Sequence, residues 1–96
     1  MKKLRTRFTP ESAKLLSKLH PDNKKMIKSA LKKLQKNVHA GDDLQEELAG
    51  FKSYKIKRYR IIYRYNEDGK SIDIYYVGHR SDVYEQFREL LRKLSS

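Results

Sequence analysis

The chain has 96 residues, 38% of them apolar, which suffices for one domain with a modest core. It has no cysteine, which excludes a disulfide framework and any thiolate metal site, and basic residues interrupt every apolar run before it could cross a membrane. Lys and Arg number 23 against 12 Asp and Glu, a formal charge of +11, and that imbalance points to an anionic partner such as nucleic acid or an acidic protein.

The opening MKKLRTRF is basic but leads into no apolar region, so no secretory signal is expected and a cytoplasmic location fits. Lys3 to Phe8 can form a first strand, anchored by Leu4 and Phe8. TPES then starts a helix: Thr9 suits the N-cap, Pro10 the first helical position, and Glu11 complements the helix dipole. Ala13, Leu16 and Leu19 form its apolar stripe, and it should stop before His20-Pro21. Asp22 is the expected cap of a second helix. Its apolar face is Ile27, Ala30, Leu31, Leu34 and Val38, and its opposite face is Lys24, Lys25, Lys28, Lys32 and Lys36. Two helices joined so closely form an antiparallel hairpin.

HAGDDLQEELAG reads as a loop broken by Gly41 and Gly50, and it holds a third of the acid of the chain in Asp42, Asp43, Glu46 and Glu47. From Phe51 the period changes to two. Tyr54 to Ile56, Tyr59 to Tyr65 and Ser71 to Val77 are expected strands. Lys57-Arg58 and NEDGK (Asn66 to Lys70) are the turns between them. Asp82 is placed to cap a last helix with the stripe Val83, Phe87, Leu90, Leu91 and Leu94. The layout is α+β in a single domain, residues 1–96. An antiparallel meander is covered by an N-terminal helical hairpin, with a helix at the C-terminus.

From Phe51 to Tyr65 there are six basic residues and no acid: Lys52, Lys55, Lys57, Arg58, Arg60 and Arg64. Alternation puts Arg60, Ile62 and Arg64 on one face of their strand and Ile61, Tyr63 and Tyr65 on the other. An arginine in a central strand must reach solvent or an anion, because a lone buried guanidinium is too costly. One reading is a sheet surface for RNA, with phosphate contacts from Lys52, Arg58 and Arg64 and a stacking ring from Tyr59. The other is a solvated, salt-bridged sheet face. A second cluster, VGHRSDVY, sets His79, Arg80 and Tyr84 just after a strand. Cationic neighbours of this kind disfavour a charged lysine or histidine and so favour a free base. His20 and His39 fall at helix ends and receive no role. Three scattered histidines without clustered carboxylates argue against a metal site.

These residues resemble a family. LAG at 48–50, YKIKRYRIIYRY at 54–65 and VGHRSDVYE at 77–85, together with the order of elements, resemble the RelE branch of the RelE/ParE toxins of type II toxin–antitoxin systems. The resemblance implies an endonuclease that cuts mRNA in the ribosomal decoding site, without metal or cofactor, and a cognate antitoxin that neutralises it. Carried over, it implies that Arg60 contacts the scissile phosphate, that Arg80 stabilises the transition state and that Tyr84 stacks on a base. Lys55 and Lys57 match a lysine pair found in some members. A gapless comparison instead sets Lys57 where relatives carry a turn glycine. The general base is left open among Lys55, Lys57 and His79. Two alternatives remain: a ParE-like toxin acting on DNA gyrase, and a basic domain that binds nucleic acid without cutting it.

Overall fold

The computed structural model describes residues 4–95. In chain order these form β1 (Arg5–Phe8), α1 (Pro10–Ser17), α2 (Pro21–Lys36), β2 (Asp42–Asp43), a 3-10 turn over Glu46–Leu48, β3 (Lys52–Ile56), β4 (Tyr59–Asn66), β5 (Ser71–His79) and α3 (Val83–Ser95). The expected first strand is present from Arg5 onward, and Lys3 lies outside the described residues.

Both helix starts in the hairpin follow local chemistry. Thr9 Oγ1 accepts the Ser12 amide at 3.1 Å, and Pro10 opens α1. At α2 the cap is His20 rather than Asp22: His20 Nδ1 accepts the Asp22 amide at 3.1 Å, and the helix begins two residues early, at Pro21. Proline has no amide to leave orphaned at that position, so the helix starts there. Asp22 then falls in the first turn, where its charge suits the helix dipole.

The sheet has five strands in the order β1-β5-β4-β3-β2, with β1 parallel to β5 and the other pairs antiparallel. The meander β3–β4–β5 is its centre. The loop reading of the acidic segment misses β2, whose two residues pair with Ser53 and Lys52 on β3.

Each face of the sheet buries its own layer. Under α1 and α2 lie Ile61, Tyr63, Ile72 and Ile74, packed against Ile27 and Leu34. Under α3 lie Ile62, Tyr76 and Phe51, packed against Val83 and Phe87. Successive residues Ile61 and Ile62 thus enter opposite cores, as period-two alternation requires. The alternation slips once. Ile62 pairs with Tyr76 but Tyr63 pairs with Ile74, so Tyr75 is a bulged extra residue on β5. The rings of Tyr75 and Tyr76 therefore both join the α3 layer.

Tyr63 is fully buried, and its hydroxyl is satisfied by the chain leaving α2. It donates to the Val38 carbonyl at 2.8 Å and accepts the Gly41 amide at 3.0 Å. A side chain at Gly41 would meet this hydroxyl at 2.7 Å, so glycine is needed for the approach. Burial pushes the Tyr63 phenol above its ordinary pKa. The bonds also set the position of β2, which follows directly.

Candidate nucleic-acid interface

Lys55 on β3 and Arg60 on β4 are directly opposite each other beside the two-residue turn Lys57-Arg58. They project from the α3 side of the sheet, because their neighbours Tyr54, Ile56, Tyr59 and Ile61 belong to the hairpin side. Directly opposed side chains in an antiparallel pair sit about 5 Å apart at Cβ, and like charges there repel. Two opposed cations are therefore a cost to the fold that an anion would offset.

The Arg60 guanidinium folds back over its own turn, donating to the carbonyls of Tyr59 at 2.8 Å and Lys57 at 3.2 Å. Lys57 has φ of +53°, the left-handed region that glycine occupies without strain. That conformation fits the comparison in which Lys57 stands at a turn glycine. Lys55 Nζ approaches Asp42 Oδ2 on β2 at 3.8 Å, both groups well exposed.

Tyr84 lies in the first turn of α3, half-buried in the α3 layer. Its hydroxyl meets Ser53 Oγ on β3 at 2.9 Å. The entry of α3 depends on Gly78: a Cβ there would meet Val83 Cγ2 at 3.1 Å. Gly78 is also the residue opposite Arg60 on β5. Arg80 is exposed and follows at once, with its backbone amide on the Arg58 carbonyl at 2.7 Å. Lys55, Arg60 and Tyr84 thus share one side of the sheet, and Arg58 and Arg80 border it where the strand ends are tied together.

The remaining expected site residues lie elsewhere. His79 is next to Arg80 but belongs to the hairpin side, edge-on to the Tyr59 ring at 6.0 Å. Its Nδ1 is engaged by the Ser81 hydroxyl at 2.8 Å and the Ser81 amide at 3.2 Å. Tyr59 packs with the hairpin core, and its hydroxyl accepts from Asn23 Nδ2 at 3.1 Å. Lys52 reaches Asp43 at 2.6 Å, a contact that holds the Asp43 carboxyl below the usual range first by its hydrogen bond and then by its charge.

Arg64 is on the same side as Arg60 but four residues along β4, about 13 Å away at the usual strand rise. Its guanidinium lies over the Phe51 ring, 4.3 Å from the ring centre, and Nε reaches the Gly50 carbonyl at 3.4 Å. Gly50 has φ of +95°, and a Cβ there would meet the Arg64 guanidinium at 3.1 Å. The LAG segment is thereby part of the seat for Arg64. Two polar contributors to this side, Asp42 and Ser53, were not singled out from the sequence. A serine between Lys52 and Tyr54, beside an expected strand, is the signal that could have found the second.

Among the described residues no group of three or more His, Asp or Glu side chains is arranged to hold a metal ion. Among them, too, no helix is long and apolar enough to cross a membrane.

A family model described as the ParE toxin of type II toxin–antitoxin systems matches residues 6–84. No curated protein sequence matches the chain. Among solved structures, the RelBE2 toxin–antitoxin complex of Mycobacterium tuberculosis is 30% identical, over 82% of this chain and 100% of that one, with a TM-score of 0.74. The isolated RelE toxin of E. coli is 19% identical, over 92% and 98% of the two chains, with a TM-score of 0.69. The archaeal RelE–RelB complex of Pyrococcus horikoshii is 20% identical, over 82% and 97%, with a TM-score of 0.65. The last two show a shared fold. With the family model spanning most of the chain and the mycobacterial relative covered throughout, this protein belongs to the RelE/ParE family of toxins of type II toxin–antitoxin systems.

Proposed function

We propose that this toxin is a ribosome-dependent mRNA endonuclease that arrests translation, acts in the cytoplasm and is held inactive by a cognate antitoxin. The observation that carries the reading is the cross-strand pair of Lys55 and Arg60, two cations directly opposed on one side of the sheet near Tyr84. A phosphate between them would add to the partial neutralisation that Asp42 gives Lys55 at 3.8 Å, and a gyrase-binding surface does not require a phosphate there. Binding to an antitoxin is supported by the mycobacterial relative, whose structure is that of a toxin–antitoxin complex.

In this reading the ribose 2′-hydroxyl attacks the adjacent phosphorus. The P–O5′ bond breaks, leaving a 2′,3′-cyclic phosphate on one fragment and a 5′-hydroxyl on the other. Lys55, as the neutral amine, takes the proton of the 2′-hydroxyl, water supplies the proton that the departing O5′ needs, and Arg60 and Arg80 offset the charge that gathers on the phosphoryl oxygens. Tyr84 stacks on the base beside the cut. Lys55 is preferred to His79 because His79 packs on the hairpin side and its Nδ1 is engaged by Ser81. Lys57 heads a turn rather than a strand. One base contributes about 10²–10⁴-fold. The rest of the acceleration falls to charge stabilisation and to the ribosome, which orients the message.

The test is cleavage in a purified translation system, mapped by primer extension with and without ribosomes, for the wild type, Arg60→Ala and Arg80→Ala. Ribosome-dependent cuts that both variants lose support the reading. A second reading is favoured by the matching family model, which is that of the ParE toxin. A protein that arrests growth, cuts nothing and blocks gyrase supercoiling would establish that reading instead.

A further inference from the structure

Ser53 is out of place by composition. It is the second residue of β3, 2% exposed, between Asp42 on β2 and Ile62 on β4, in the layer that otherwise holds Leu48, Phe51, Val83 and Phe87. Valine or isoleucine would fill such a strand position better. A buried hydroxyl costs stability unless a partner satisfies it. Here the partner is the Tyr84 hydroxyl at 2.9 Å, and no buried side-chain polar atom among the described residues is left without one.

We infer that Ser53 is the positioning residue for Tyr84, fixing the tilt of its ring relative to Lys55 and Arg60; the inference rests on the nuclease reading above. The geometry supplies three constraints on that ring. Its backbone is set by the first turn of α3, which Gly78 allows to approach β5. One flank of its ring packs into the α3 layer. Its far end is tied to β3, the strand that carries Lys55 two residues further on. A tyrosine held at both ends presents a stacking surface already ordered before RNA arrives, so the ordering entropy is not drawn from binding. Without the tie, the phenol end is free to swing about χ1 while the backbone stays in place. A phenylalanine at 84 would stack as well in principle and would lack the tether.

The experiment compares initial cleavage rates on programmed ribosomes for the wild type, Ser53→Ala, Tyr84→Phe, the double variant and Ser53→Thr, alongside the melting temperature of each. Loss of one hydrogen bond of ordinary strength predicts a kcat reduced roughly three- to tenfold in either single variant. KM should change little, because the ribosome carries most of the mRNA binding. The double variant should be no slower than the single ones, since both cut the same tether, and Ser53→Thr should recover most of the rate. A Ser53→Ala protein that melts lower yet cuts at the wild-type rate would reduce Ser53 to a strap for α3 and overturn the inference alone. Multiplying losses in the double variant would overturn it equally. Failure of the wild type to cut would overturn the nuclease reading, and this inference with it.

Discussion

Replacing Tyr63 with phenylalanine removes one oxygen atom from the middle of the fold and leaves the ring in place. That oxygen donates to the Val38 carbonyl at 2.8 Å and accepts the Gly41 amide at 3.0 Å, so Tyr63→Phe strips both backbone groups of their partner. Each hydrogen bond is worth about 0.5–1.5 kcal/mol, and more where the orphaned group stays out of water. Val38 and Gly41 are only half-buried, so water can partly replace the phenol. The lower half of the range applies, about 1–2 kcal/mol in total. In urea, with a slope of roughly 1–3 kcal/mol/M, the midpoint should fall by about 0.3–2 M with the slope unchanged. A second signature is alkaline. The folded Tyr63 phenol ionises above its ordinary value because burial disfavours the phenolate. Its contribution is therefore complete below about pH 10 and is lost as pH rises through the folded value. Tyr76 is raised by burial too, then by the charges of Glu11 and Asp82, so some loss remains in the variant. The wild type should lose stability above pH 10 more steeply than Tyr63→Phe. A variant within about 0.3 kcal/mol of wild type, with the same alkaline profile, would refute the claim that this hydroxyl anchors the chain leaving α2.

Lys55→Ala should lower ribosome-dependent cleavage by about 10²-fold or more while leaving the thermal midpoint near that of wild type, since Lys55 is exposed; primer extension and a melt check the pair. Asp42→Asn should tighten RNA binding at low salt by a few-fold, because it frees Lys55 from a competing carboxylate, and the gain should vanish at high salt in a filter-binding titration. Gly78→Ala should cost more stability than an exposed change, about 1–3 kcal/mol, because its methyl group meets Val83 at 3.1 Å; denaturant unfolding measures it. Acid acts through Asp43, whose folded pKa is lowered by Lys52. That contribution is present above about pH 4 and fades as pH falls through the folded value, and Asp43→Asn should flatten this acid limb in pH-dependent melts.

The helices and central strands were legible because their signals are local. Thr9-Pro10 carries its own cap chemistry, and alternation along β4 separates Ile61 from Ile62 without reference to the rest of the fold. β2 was not legible, since two aspartates have no strand propensity and pair only because Tyr63 holds the preceding loop against β4. The cap at α2 was misread for a similar reason: histidine is an uncommon cap, and only the ring orientation shows that Nδ1 faces the Asp22 amide. Within the basic cluster, sequence alone did not separate the two sides of the sheet beyond β4. Lys52 and His79 are chain neighbours of positions on the α3 side, Ser53 and Gly78, yet both belong to the hairpin side through strand parity and local contacts.

The bulge at Tyr75 bears on which length changes β5 can absorb. Ile72 and Ile74 before it, and Val77 after it, all face the hairpin, although their spacings of two and three break strict alternation. Removing Tyr75 would restore a regular ladder and keep every flanking side chain on its present side. The loss would be local: one ring from the Phe51 contact and the second ring near Arg64. Removing Ile74 or Tyr76 instead deletes a core side chain. Shortening of this strand should therefore be tolerated at Tyr75 before either neighbour, so the strand carries a built-in point of deletion that leaves Gly78 opposite Arg60.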